Sequence, residues 1–396
     1  MDGTFIKPRY DRGGFASLPR RVEQFLTSGR YDVVVLFLLD GFGWNYIEQF
    51  GNHPLLKKIQ HSGTLEKLTA QFPSTTSAEV TTFHTGLPVG EHAILEWNFY
   101  ESELDAIISP LLFSFAGTIQ RDTLLVTGLK PRSIFPRSTF YHLLKNQGVS
   151  SLFFQHREYT PSTYTNVITR GAEVRSYKTL PEALVNLQQA VGSVKSPAYI
   201  PLYFDKIDAI SHEYGPGSPQ AHAEVEMVLT TLDKVFFRNR KLFAKRKVLF
   251  LLTADHGLTS TDPRTTVYLN QDERFADLGK FLRLDGSGNP LIPGGSCRDF
   301  FLYIQPGMVS EAQDFLSNRL EGIAEVRLVS DLIREGYFGP VVTPKFREHA
   351  GDLVILPFAG ESVWWYEKDK FEQRYHGHHG GLSAQEMEIP LVGIEM

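Results

Sequence analysis

The sequence predicts an α/β fold with a mostly parallel central sheet, helices on both faces and loop-rich caps over one end. Three observations carry that reading. Val33–Leu39, Ala198–Phe204 and Val248–Thr253 are apolar runs of strand length, as expected for strands covered on both faces. Helical-period segments separate them, the alternation that builds parallel sheets from strand–helix–strand units. The runs lead into Asp40-Gly41, into Asp208 with His212, and into Asp255-His256-Gly257, and open α/β sheets bind ligands outside the carboxyl ends of their strands.

In chain order, a helix over 18–28 precedes the first strand. Helices over 44–51 and 54–62, a strand over 64–70 and a helix over 77–86 follow. Residues 95–137 then lose periodicity, carry Trp97, Asn98, Phe99, Tyr100 and several prolines, and read as a cap. Alternation resumes with a helix over 138–147, a strand over 151–154, a helix over 180–191, the second apolar strand, a long amphipathic helix over 222–237 and the third apolar strand. Residues 258–300, with Gly286, Gly288, Gly294 and Gly295, predict a second cap. A helix over 309–319, short strands near Val326 and over 353–356, and a strand over 390–394 complete the sheet. No repeat or low-complexity linker divides the chain, so 1–396 reads as one domain.

Composition bounds the function. With 396 residues, 42% hydrophobic and 21% charged, the chain can fill a large core. A net charge of −5 without long single-sign blocks leaves no footprint for a nucleic acid polymer or an anionic membrane. The densest basic stretch, Lys241 to Lys247, reads as a solvated helix end. The single Cys297 excludes an internal disulfide, the first residues lack a leader pattern, and no window approaches the ~20 apolar residues of a spanning helix. The expectation is a cytoplasmic protein with a small-molecule substrate and no membrane partner.

Asp40, Asp208, His212, Asp255, His256 and His379 form a set of three carboxylates and three imidazoles, enough for two divalent ions with three protein ligands each. Mixed nitrogen and oxygen donors suit zinc best, with manganese or iron as alternatives. His376 and His378 stand beside His379 as rival ligands. A lone Asp after a strand is more often a helix cap, and a histidine run more often a solvated loop; it is the coincidence of four such segments that points to metal. Within Phe72-Pro-Ser-Thr-Thr76-Ser-Ala-Glu79, a hydroxyl opening a helix meets free N–H groups and the positive end of the dipole, a phosphate-binding position. Ser74, Thr75 or Thr76 could equally be a plain cap. Trp97, Phe99 and Tyr100 either stack on a substrate or fill the cap's own core.

These segments together resemble the alkaline phosphatase superfamily, closest to its type I phosphodiesterase and nucleotide pyrophosphatase branch. The pieces are Asp40-Gly41, Phe72-Pro-Ser-Thr-Thr76 with Thr85-Gly86-Leu87 and Glu91-His92, Asp208 to His212 with Gly215-Pro216, Asp255-His256-Gly257, and His379-Gly380-Gly381 with Ser383, in the family's order. The resemblance implies that Asp208, His212 and His379 hold one metal, and that Asp40, Asp255 and His256 hold the other, with Thr76 as a further ligand and the nucleophile. It implies hydrolysis of phosphate diesters or pyrophosphates through a phospho-threonine, the metals clamping the phosphoryl group. The chain departs from the branch at Glu79, where relatives carry an Asn that donates to phosphate; Glu79 then either points away, or meets a cationic substrate group, or the oxyanion is held by backbone N–H groups. Arg298 is the candidate for gripping a terminal phosphate, which keeps a phosphomonoesterase or phosphonate hydrolase as the alternative. A degenerate metal-binding scaffold is the non-enzyme alternative.

Overall fold

The computed structural model describes residues 5–238, 243 and 245–396. Its centre is a seven-stranded sheet in the order Thr64–Thr69, Glu388–Glu395, Val248–Thr253, Val33–Leu39, Ala198–Phe204, Ser150–His156, Glu173–Tyr177. The last five strands in that order run parallel, and Glu388–Glu395 is antiparallel to both its neighbours. Every residue of the three apolar runs is buried, as two covered faces require. Helices including Leu18–Thr27, Pro54–Ser62, Leu180–Ser193 and Pro219–Thr231 pack around the sheet.

Three expectations change. Glu173–Tyr177 is a strand that periodicity does not reveal, because at the sheet edge its Glu-Val-Arg-Ser residues are solvated. The long helix predicted over 222–237 is Pro219–Thr231 continued by a π-helical stretch, Leu232–Phe237. The short strands near Val326 and Leu353 do not join the central sheet. Ala324–Leu328 and Leu353–Pro357 instead build a four-stranded antiparallel sheet with Gly294–Ser296 and Asp299–Leu302. That sheet and helix Val309–Arg319 enclose a second hydrophobic cluster around Phe281, Phe300, Leu316 and Ile355. The second irregular block is thus part of a smaller packed layer reaching well past residue 300. Of the basic stretch Lys241 to Lys247, residues 241, 242 and 244 lie outside the described residues; at its end, Lys247 N–H donates to Asp32 Oδ2 at 2.8 Å.

Two histidines in and near the helix that Thr76 opens are packed as neutral rings. His92 Nδ1 accepts from Ile94 N–H at 3.0 Å, so its Nε2–H faces Ala78 O at 3.1 Å. His84 bonds Tyr141 Oη and lies edge-on to Phe153. Burial pushes both imidazoles down to about 3. Their contribution to stability is therefore whole above the unfolded value of ~6.5 and is lost as pH falls from there toward 3. Each should lower the unfolding free energy by ~1.4 kcal/mol per pH unit in that window. Urea unfolding of the metal-free protein and of His92→Gln at pH 7.5 and 5 separates the His92 share from the opposite contribution of buried carboxyls such as Glu79: the stability difference between the two pH values should change by ~2 kcal/mol in the variant, and an unchanged pH dependence would contradict the buried neutral ring.

Candidate metal centre

Register delivers the carboxylates side by side. Leu39 pairs with Phe204 and Leu38 with Thr253, so Asp40, the segment after Phe204 and Asp255 leave the sheet together at one end. Gly41 follows Asp40 with φ 72°, and a Cβ there would lie 2.9 Å from Asp208 Cα; only glycine lets these two strand exits approach. Asp208 and His212 are one turn apart on helix Lys206–Tyr214, with His212 Nε2 3.4 Å from Asp208 Oδ2. His379 comes from far along the chain. Gly377–His378 pairs antiparallel with Thr259–Ser260, just beyond Asp255-His256, and Gly380 bridges to Ser74.

The result is two clusters, Asp40 with Asp255 and His256, and Asp208 with His212 and His379, each with its ligand atoms within 4.8 Å of one another. The His256 and His379 rings stack at 3.6 Å between centroids, so the clusters adjoin. His379, rather than His376 or His378, occupies the cluster; the His378 ring is tied up with the backbone of its neighbour.

The donor set fits cations. His256, His212 and His379 each direct Nδ1 at a backbone carbonyl, those of Gly257 at 3.1 Å, Gly377 at 2.8 Å and Ser74 at 3.0 Å. An Nδ1–H donor leaves each Nε2 as a lone pair turned toward the carboxylates. Burial lowers all three imidazoles from their ordinary value, which keeps them neutral. Opposite them, Asp40 Oδ1, Asp208 Oδ1 and Asp255 Oδ2 are buried with no hydrogen-bond partner. Burial, then the charge of Asp255, raises the Asp40 and Asp208 carboxyls well above the usual range. Partnerless carboxylate oxygens facing imidazole lone pairs are what two divalent metals satisfy. The other oxygens are held in place: Asp255 Oδ1 accepts from Gly41 N–H at 3.1 Å and His256 N–H at 3.0 Å, and Asp40 Oδ2 accepts from Tyr203 Oη. Sequence reasoning missed Tyr203, whose only signal is a hydroxyl near the end of an apolar run.

Thr75, not Thr76, caps helix Thr76–Thr85: its Oγ1 accepts from Ala78 N–H at 3.3 Å and donates to Leu95 O at 3.0 Å. Ser74 Oγ donates to Gly381 O. The Thr76 hydroxyl is thereby left for the clusters, and it donates to His256 Nε2 at 3.1 Å.

Three residues expected at the substrate are placed elsewhere. Glu79 is fully buried one turn into that helix and accepts from Gln71 N–H and, at 2.9 Å, Gln71 Nε2; burial raises its carboxyl well above the usual range. Arg298 is fully buried in a two-pronged pair with Glu386, Nε to Oε1 and Nη2 to Oε2 both at 2.9 Å, and its Nη1 donates to Phe358 O and Glu361 O. Four of its five N–H donors are engaged in these bonds and the whole side chain is buried, which keeps it from gripping a phosphate. Tyr100 packs with Leu291 and Tyr303 and donates to Asp105 Oδ1, filling the cap's core, while Phe99 stacks on His349 at 4.0 Å. Trp97 alone of the aromatic trio reaches the site, 37% exposed. A third acidic group, Glu101 with Glu348 and His349, lies under this cap and already has a cation, Lys345 Nζ, 3.2 Å from Glu101 Oε2.

Two cavities meet at Thr76, Trp97 and Asp208. One, about 160 Å³, runs beside Asp40 between Val80, Leu111, Leu112, Tyr159, Tyr164 and Arg121. The other, about 920 Å³, opens past His212 and His379 toward Trp364, Phe371 and Tyr375. A central organic phosphate with two differently sized arms would match that form.

Comparison with known proteins agrees in fold and sequence. Murine ectonucleotide pyrophosphatase/phosphodiesterase 5 superposes with a TM-score of 0.67 at 16% identity, covering 91% of this chain and 87% of that one. Phosphonoacetate hydrolase from Sinorhizobium meliloti 1021, in complex with phosphonoacetate, gives 0.63 at 16% identity, covering 92% and 90%. Venom phosphodiesterase 2 of Crotalus adamanteus is 23% identical over 319 residues, 77% of this chain but 35% of the relative. Human ectonucleotide pyrophosphatase/phosphodiesterase family member 7 is 24% identical over 247 residues, 60% of this chain and 50% of the relative. The chain therefore spans between a third and a half of the length of these two curated relatives. The family model for type I phosphodiesterase/nucleotide pyrophosphatase matches residues 34–382, nearly every strand of the central sheet and all six clustered ligands, and the chain belongs to that family.

Proposed function

We propose that this chain hydrolyses phosphate diesters or pyrophosphates of small molecules, with Thr76 as the nucleophile and two metal ions, zinc by donor chemistry, held by Asp40, Asp255 and His256 and by Asp208, His212 and His379. The observation that carries the reading is the Thr76 hydroxyl, spared from capping by Thr75 and turned to His256 at a helix N-terminus, beside a cavity that Asp40 and Asp208 also line. When bound, the metals would lower the pKa of the attacking hydroxyl and neutralise charge on the phosphoryl oxygens. The chain's own residues do the rest. First-turn N–H groups of helix Thr76–Thr85 supply donors for phosphoryl oxygens, a role that Glu79, turned away, does not fill. Attack forms a bond from Thr76 Oγ1 to phosphorus and breaks the bond to the leaving oxygen; the hydroxyl proton passes through solvent to the departing alkoxide. Water then attacks phospho-Thr76 and restores the hydroxyl.

Support from relatives is of the same kind: an inactive variant of murine ectonucleotide pyrophosphatase/phosphodiesterase 5 forms a complex with AMP, and the venom relatives are named phosphodiesterases. A cytoplasmic setting belongs to the same proposal, supported by the lone free thiol of Cys297; among the described residues no helix is long and apolar enough to cross a membrane. The experiment is hydrolysis of bis(p-nitrophenyl) phosphate against p-nitrophenyl phosphate by protein loaded with zinc or manganese, with Asp255→Asn as the blank. A diester preference absent from the blank is expected. A monoester preference would move the assignment to a phosphatase, and inactivity on both would favour a scaffold.

A further inference from the structure

The smaller cavity has a charge that nothing in the protein answers. Arg121, in the cap, lines it together with Thr76 and Asp40. The guanidinium lies 5.8 Å from the centroid of the Tyr159 ring, and that ring is its only partner; among the described residues no carboxylate or carbonyl pairs with it. Cation–π contact uses the flat face of a guanidinium and leaves its N–H edge free. The acidic group outside the clusters that also lines this cavity, Asp205, accepts at Oδ2 from Tyr159 Oη at 2.5 Å and from Lys206 Nζ at 3.1 Å. Asp40 and Asp208 belong to the metal clusters. What remains inside the cavity is a half-buried positive charge with unused donors, and partly desolvated arginines of that kind bind carboxylates and phosphates in a fork.

Size narrows the ligand. A water needs ~10–15 Å³ on the measure that gives this cavity about 160 Å³, so it admits a group of roughly ten heavy atoms. The wide cleft is the place for anything larger. The arms are also distinguishable in role. Thr76 contacts the cluster containing His256, and Asp40 of that cluster lines the compact cavity, whereas His212 and His379 line the wide cleft alone and Asp208 lines both; a leaving oxygen on the far side of phosphorus from Thr76 would face the wide cleft, and the compact arm would stay behind.

We propose that the substrate is a phosphodiester whose compact, retained arm carries its own negative charge, and that Arg121 is the specificity-determining residue that reads it. The proposal rests on the phosphodiesterase reading above. Its test uses two diesters with the same leaving group, p-nitrophenyl 2-carboxyethyl phosphate and p-nitrophenyl ethyl phosphate. The zinc- or manganese-loaded protein should show kcat/KM roughly ten-fold higher for the carboxyethyl arm, the scale of one charge-assisted hydrogen bond. Arg121→Gln should bring that ratio to about one, Arg121→Lys should keep part of it, and Arg121→Glu should reverse it in favour of a 2-aminoethyl arm. Equal kcat/KM for the two arms in the unmodified protein overturns the role of Arg121 while leaving the esterase reading intact. Turnover of neither overturns the esterase reading, and calorimetric binding of the two diesters to metal-loaded Thr76→Ala then decides the charge preference: tighter binding of the carboxyethyl diester, lost in the Thr76→Ala/Arg121→Gln double variant, supports it, and equal or undetectable binding sinks it.

Discussion

Thr76→Ala should abolish turnover of diester substrates, by at least ~10³-fold on the scale of losing a nucleophile, while two equivalents of metal remain bound. The reason is in the division of labour at the start of helix Thr76–Thr85. Thr75 carries the cap and Ser74 the tie to Gly381, so removing the Thr76 hydroxyl subtracts neither fold nor any of the six carboxylate and imidazole ligands. Steady-state assays beside metal analysis of the dialysed, reloaded protein separate the outcomes. Retained turnover would exclude a covalent phospho-threonine. Loss of both turnover and one metal equivalent would make Thr76 chiefly a ligand.

The second large effect is on stability. Arg298→Ala should lower the unfolding free energy by ~3–5 kcal/mol, because it strands the Glu386 carboxylate where water cannot reach it. Burial alone would raise that carboxyl; Arg298, with hydrogen bonds from Ser383 and Gly381, offsets it and holds it below its ordinary value. Glu386 in turn accepts from Gly381 N–H at 3.0 Å and Ser383 N–H at 3.2 Å, the turn that follows His379. Removing both charges together, as Arg298→Met with Glu386→Leu, should restore much of the loss. Urea unfolding of the single and double variants tests this. A single variant of unchanged stability but reduced affinity for phosphate monoesters would return Arg298 to the role of a substrate grip.

That correction marks where sequence was readable and where it was not. Asp40 and Asp255 were legible because an acidic residue directly after a buried strand is a local pattern, and Asp208 with His212 because four-residue spacing has a geometric meaning. Arg298 misled because its partner lies 88 residues away, and a charged residue in a glycine-rich segment looks free until the chain is folded. Glu79 misled in the same way: the departure from the relatives was visible, but Gln71, which takes it out of the site, was not identifiable as its partner. Arg121 gave no signal at all, being an ordinary basic residue in an aperiodic cap whose meaning comes from the cavity around it. The four-stranded sheet escaped because short strands carry no address for the sheet they join.

The sheet has one more consequence, for the order in which the protein can be made. Glu388–Glu395 is inserted between Thr64–Thr69 and Val248–Thr253, and Thr64–Thr69 pairs with no other strand of the sheet. A ribosome-bound chain that has emitted the first 387 residues therefore holds its nucleophile segment beside an unfilled slot, with the rest of the parallel core already available to form. Attachment of that flank waits on a strand far along the chain from Thr64–Thr69, and pairings of such sequence separation are slow.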